Sequence, residues 1–197
     1  GGPRRGAAMG CCCSCGEREH DGVQLQPQQR IVISAASEGV KVTNHLEVSG
    51  RGLAIASEPI EQDFSYWELC IKAMPEEAVV GAGVCRNAPL EELAAEDFGA
   101  GRLTWGFKTS SAGVSLKKGD VLGVAFSLSD MPAMQFFLNG EAITGTEIGR
   151  VRAGGEVSPA FFLRQGAVIE AVFNPEDFSH RPPNARFTEL IISQSML

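Results

Sequence analysis

Four cysteines crowd positions 11 to 15 behind Met9-Gly10, in the stretch MGCCCSC. Thiols at this density can ligate a metal, pair as disulfides, exchange electrons or carry fatty acids. Cys12 and Cys15 have C-x2-C spacing and His20 offers a third ligand, but a structural zinc site needs a second ligand pair. The remaining cysteines, Cys70 and Cys85, sit in apolar runs that read as core strands, where a free thiol is the usual state. A thioredoxin-type pair would open a helix in an α/β unit, and no such unit follows. Lipid attachment fits better. If Met9 initiates and is removed, Gly10 heads GCCCS and satisfies M-G-x-x-x-[ST] through Ser14. Gly10 is then the myristate acceptor, with Cys11, Cys12, Cys13 and Cys15 beside it for palmitate. One myristoyl chain binds membrane only with a constant on the order of 10⁴ M⁻¹, so stable anchoring takes a second signal. Arg18 between Glu17 and Glu19 makes no basic patch, which leaves palmitate. An upstream start would deny Gly10 its free amine and leave palmitoylation alone. The alternative is a set of exposed thiols in a tail.

No catalytic set assembles from the other residues. Gly81-Ala82-Gly83 resembles the start of a dinucleotide fingerprint, but Arg86 stands where the third glycine belongs and Asn87-Ala88-Pro89 interrupts the helix that must follow. These glycines are expected instead where another segment packs closely on a strand. His20, His45 and His180 fall in no nucleophile or zinc-protease motif. The expectation is therefore a chain that is not an enzyme and has neither cofactor nor metal. The net charge of −7 argues against a nucleic-acid partner, which requires a basic surface. No apolar run is long enough to span a bilayer and no signal-peptide core is visible, so the expected location is cytoplasmic, at the cytosolic face of a membrane where acyl chains tether it.

The elements that position these residues are mainly strands. YWELCIKA alternates, with Trp67, Leu69, Ile71 and Ala73 on one face and Tyr66, Glu68, Cys70 and Lys72 on the other, the pattern of a half-buried strand. VLGVAFSLS repeats it through Leu122, Val124, Phe126 and Leu128. Asn139-Gly140 predicts a tight hairpin between 134–138 and 141–143, because both central residues of that turn need positive φ. VSPAFFLR and AVIEAVF follow, separated by Gln165-Gly166. Pro89 and the acidic residues behind it suit a short helix within a loop. After Pro182-Pro183, ARFTELIISQ fits a last helix or strand packed on the sandwich edge. The pattern implies an all-β antiparallel sandwich. Its expected bounds are a flexible segment at 1–30 with the cysteine cluster, a domain at 31–175 and a carboxyl-terminal extension at 176–197.

YWELCI at 66–71, VVGAGVC at 79–85, LTWGF at 103–107, KGDVLGVAF at 118–126, MQFFLNGE at 134–141, SPAFFL at 158–163 and EAVFN at 170–174 together resemble the SPRY family. Seven motifs in order over some 150 residues carry the resemblance; nothing upstream matches the PRY segment of the longer B30.2 form. A subgroup similarly joins an amino-terminal cysteine cluster, the SPRY domain and a Pro-Pro tail. The resemblance implies a bent, concanavalin-like β-sandwich whose rim loops bind a protein or peptide. The expected loops are 57–65, with Glu58, Gln62 and Asp63; 86–102, with Arg86, Asn87, Glu91, Glu92, Asp97 and Arg102; 108–117, with Thr109 and Ser110; and 129–133. The second loop is the most acidic, with Glu96 among its carboxylates, and would suit a basic peptide. A structural subunit of a larger assembly, or a small-molecule-binding or enzymatic rim pocket, are the other readings.

Overall fold

Alternating apolar and polar residues become strands that are sealed between two antiparallel sheets. The computed structural model describes residues 1–2, 30–152 and 154–192. The smaller sheet runs β1 (Ile33–Ala36), β4 (Gly52–Ala56), β12 (Val157–Arg164), β6 (Val79–Arg86) and β7 (Thr104–Lys108). The larger runs β10 (Glu141–Ala142), β9 (Ala133–Leu138), β8 (Val121–Ser127), β5 (Phe64–Ala73), β13 (Val168–Val172), β3 (Glu47–Gly50) and β2 (Val40–Thr43), and β11 (Ile148–Gly149) adds a second partner to β9. Between the sheets, Trp67, Leu69 and Ile71 of β5 and Leu122, Val124 and Phe126 of β8 join one buried cluster with Val80, Ala82 and Val84 of β6 and Phe161 and Leu163 of β12. Thus the face picked out by period-two alternation is the core face.

The Asn139-Gly140 hairpin forms as expected, with φ of 52° and 84°. The Asn139 side chain ties the turn to the next strand: its Oδ1 accepts from Val121 N at 2.9 Å and its Nδ2 donates to Asp120 Oδ1 at 3.1 Å. Gln165-Gly166 has the same dihedral signature, φ 56° and 82°, but joins β12 of one sheet to β13 of the other. It is a corner between layers. The loop helix is present as α1 (Leu90–Ala95), with Pro89 at its N-cap, and a second single turn, α2 (Thr109–Ala112), follows β7.

Three expectations need correction. The second face of β5 is not solvent-facing at its start: Tyr66 and Glu68 are buried, and only Lys72 is exposed. Phe178, Ser179, His180 and Phe187 lie over that face, which a strand's own alternation cannot reveal. Cys70 is half-buried on this outer side, whereas Cys85 is buried as expected. The stretch around ARFTELII forms neither helix nor a run of strand; it contributes one isolated parallel bridge, Thr188 to Ser65.

Candidate functional site

Strand register decides which loops meet. Arg86 at the end of β6 pairs with Val157 at the start of β12, and Cys85 pairs with Thr104 at the start of β7. In the other sheet Phe64 pairs with Ser127, and Ser127 with Ala133. Backbone bonds stitch these ends together: Ile60 N donates to Val157 O (2.8 Å), Leu128 N to Asp63 O (2.8 Å), Asn87 N to Glu156 O (3.1 Å) and Val151 N to Pro132 O (2.9 Å). Loops 57–63, 87–103 and 128–132 therefore share one rim. A fourth segment, 150–152 with 154–156, joins them; its residues lie in none of the alternating stretches, so periodicity gave no signal for it. The chain also enters here, since Ser57 N donates to Val32 O at 2.8 Å. Loop 108–117 leaves from the opposite end, where Lys108 pairs with Gly81. Thr109 is buried there, with its hydroxyl accepting from Val80 N at 3.2 Å, and exposed Ser110 follows it. These two do not join the other expected site residues.

At the shared rim, Glu58 is half-buried and Asp63 exposed. Gln62 is engaged by the carboxyl-terminal segment: its Nε2 donates to Glu189 O and its Oε1 accepts from Ile191 N at 3.1 Å. Asp63 lines a shallow cleft of about 340 Å³ with Phe64, Leu128, Ser129, Asp130 and Arg186. The Arg186 guanidinium lies 4.1 Å from the centre of the Phe64 ring, a cation–π contact. Met131 and Ile191, 69% and 57% exposed, are the large apolar side chains left open to solvent among the described residues. Both belong to segments of this rim.

The long loop is pinned to the outer face of the smaller sheet. Leu93 and Phe98 are buried in a satellite cluster with Leu53, Cys85 and Ala160. Phe98 stacks on Phe162 at 5.7 Å and fills the space left by the missing side chains of Gly81 and Gly106. The loop closes on Glu96, whose carboxylate accepts from Arg102 N (3.1 Å) and Leu103 N (2.9 Å). Asp97 pairs with Lys108. Arg86 Nη2 donates to Arg152 O at 3.4 Å and Asn87 Nδ2 to Glu156 Oε2 at 3.2 Å. Of the acidic set, Glu91 and Glu92 thus stand exposed on α1, while Glu96 and Asp97 hold the loop in place. The side chain of Arg102 is exposed.

Across the molecule, Glu68 and His180 form the most reactive-looking pair, His180 Nδ1 lying 3.6 Å from Glu68 Oε1. Yet the Glu68 carboxylate already accepts from Tyr66 Oη (3.0 Å), Ser179 N (2.6 Å) and His180 N (2.9 Å). It acts as a cap for backbone amides. Burial, with the Glu68 carboxylate beside it, raises the Tyr66 phenol above its ordinary range. Burial pushes the Cys85 thiol up to about 12 and also raises Cys70, so both are poor nucleophiles at neutral pH. Among the described residues, no three His, Cys, Asp or Glu side chains are grouped to hold a metal ion, and no helix is long and apolar enough to cross a membrane. The acyl-acceptor set Gly10, Cys11, Cys12, Cys13 and Cys15 lies outside the described residues.

No family model matches the chain, and no curated protein matches it by sequence. Among solved structures, a human SPRY domain superposes with a TM-score of 0.54 at 15% identity, covering 72% of this chain and 98% of that one. The TRIM65 PSpry domain gives 0.52 at 13% identity over 74% and 91%. The NHR1 domain of Drosophila melanogaster Neuralized gives 0.51 at 10% identity over 71% and 96%. The chain has the SPRY-type β-sandwich fold.

Proposed function

We propose that this chain is a non-catalytic protein-interaction module of the SPRY family that presents its ligand-binding surface on the rim formed by 57–63, 87–103, 128–132, 150–152 and 154–156, and that acylation near its amino terminus tethers it to a membrane. The observation that carries the first half is the meeting of three expected recognition loops at one end, with Met131 and Ile191 exposed there. Rigid strands fix the loop bases, and solvent-exposed apolar side chains ringed by charge suit a protein contact better than bulk water. The partner is a protein or peptide, with Asp63, Asp130, Glu91 and Glu92 favouring a basic one. The seven motifs and the fold together support family membership. The cysteine cluster and Pro-Pro tail resemble the SPRY domain-containing protein 7 group within it.

The tether rests on Gly10 as myristate acceptor and on Cys11, Cys12, Cys13 and Cys15 as palmitate acceptors. Proximity labelling in cells expressing the chain from Met9 tests both halves. Met131→Glu with Ile191→Glu is expected to remove most labelled partners while leaving membrane fractionation and folding unchanged. Gly10→Ala, or replacement of the four cysteines by Ser, is expected to abolish incorporation of clickable myristate or palmitate respectively and to release the chain from membranes. An unchanged partner set with the rim variant would sink the first half, and an unlabelled, soluble wild type the second.

A further inference from the structure

The larger sheet has a gap. β13 stops pairing with β5 at Val172 opposite Glu68, so among the described residues the first residues of β5 have no named strand on that side. The carboxyl-terminal segment fills the opening: Tyr66 N donates to Thr188 O at 2.7 Å and Thr188 N to Phe64 O at 3.5 Å, one parallel bridge. Gln62 extends the grip to Glu189 O and Ile191 N. Four main-chain groups within residues 188–191 are therefore recognised without reference to their side chains. Two side chains add selectivity. Phe187 meets Phe64 edge-on, at 5.3 Å and 82°, and Leu190 is sunk in the main core at 4% exposure. Thr188 and Ile191 face outward.

We propose that Gln62, Phe64, Tyr66 and the Leu190 well form an acceptor slot for an extended peptide, in which residues 187–191 sit as a resident pseudo-ligand. The partner it fits is a segment with an aromatic residue and a leucine three positions later, added parallel to β5. This is strand addition, in which main-chain bonds supply affinity and alternate side-chain pockets supply selectivity. It goes beyond the rim reading, with which it shares Gln62, and needs no acyl chain. Strand pairing of the resident segment to β5 is limited to a single-residue bridge, one bond of which is 3.5 Å long, and the rest of its hold comes from Gln62, Phe64 and the Leu190 side chain. Its upstream fastening is separate: Glu68 holds Ser179 and His180, and Pro182-Pro183 intervene before Phe187. Residues 187–191 can open locally while the Glu68 fastening remains.

The test uses the full chain and a fluorescent peptide, NARFTELII, copied from residues 184–192. Leu190→Ala removes the anchor of the resident segment but leaves the slot intact, and is expected to bind the peptide at least tenfold tighter than wild type, by anisotropy. Adding Gln62→Ala should remove that gain, as should replacing the peptide's Phe and Leu by Ala, with circular dichroism unchanged. Equal affinities across these variants would overturn the proposal. Should Leu190→Ala not fold, hydrogen exchange on wild type decides: the Tyr66 and Ile191 amides should exchange at least tenfold faster than the β5–β8 ladder, and slow when the peptide is added. Exchange only by global unfolding, or a wild-type dimer that the peptide splits into monomers, would also overturn it, the latter in favour of a swapped segment from a second copy.

Discussion

Glu68 is a carboxylate with no exposed surface on a central strand, a placement that is costly unless the charge is fully hydrogen-bonded. Here two backbone amides and a phenol satisfy it, and those amides belong to a segment more than a hundred residues later. That distance is why alternation alone put Tyr66 and Glu68 on an open face. Cys85 was legible because its burial comes from its own strand and neighbours. Its thiol is raised from 9.0 to about 12 by burial, so the fold holds this proton more tightly than the unfolded chain does. The associated stability is complete below pH 9 and is lost as pH rises toward 12. Accordingly, iodoacetamide at pH 8.5 should leave Cys85 unmodified in the native chain and modify it fully in urea, as read by peptide mapping. The urea midpoint of wild type should fall more steeply between pH 9 and 11 than that of Cys85→Ala. Native labelling of Cys85 at the rate of a free thiol would contradict its burial.

Two glycines of the string that mimics a nucleotide fingerprint serve the strands in different ways. A Cβ on Gly83 would stand 2.0 Å from the Trp105 carbonyl oxygen, part of the neighbouring backbone, while one on Gly81 would meet the Phe98 ring at 2.9 Å. Backbone held in a ladder cannot yield as a loop side chain can. Gly83→Ala is therefore expected to cost about 3 kcal/mol or more, and Gly81→Ala about 1–2 kcal/mol with displacement of loop 87–103, both measured by urea unfolding. Equal costs would mean that the β6–β7 pair is more compliant than its register implies. Close packing at these positions was legible because the alternatives failed locally. The Asn139-Gly140 hairpin was legible for a similar reason: its φ requirement lies within two residues. Gln165-Gly166 carries the same signal but turns between layers, and sheet membership is set by contacts far away in the chain. The single bridge at Thr188 was illegible because its partner slot exists only where β13 ends.

At the scale of the molecule, the sandwich has one end where loops 57–63, 87–103 and 128–132 gather and another that holds 108–117. Loop identity followed from sequence, but which loops meet depends on strand register and sheet order, and Thr109 and Ser110 lie at the opposite end for that reason. Cys15 and Arg30 are fifteen residues apart, a length that spans at most about 50 Å fully extended. Arg30 lies two residues before Val32, which bonds to Ser57 on the gathered rim. An acylated chain bound to vesicles should thus keep this rim nearer the lipid than the far end. A fluorophore introduced at residue 131 is expected to be quenched by headgroup quenchers more strongly than one at residue 165, and equal quenching would refute that orientation. Entry near Ser57 and exit near Gln62 also bear on how the protein can be handled. A tag fused directly at Arg30 or after Ile192 would stand in front of the rim it is meant to report on. A tag inserted at the Gln165-Gly166 corner leaves that surface clear, and a chain circularly permuted there would carry its new ends away from the gathered loops.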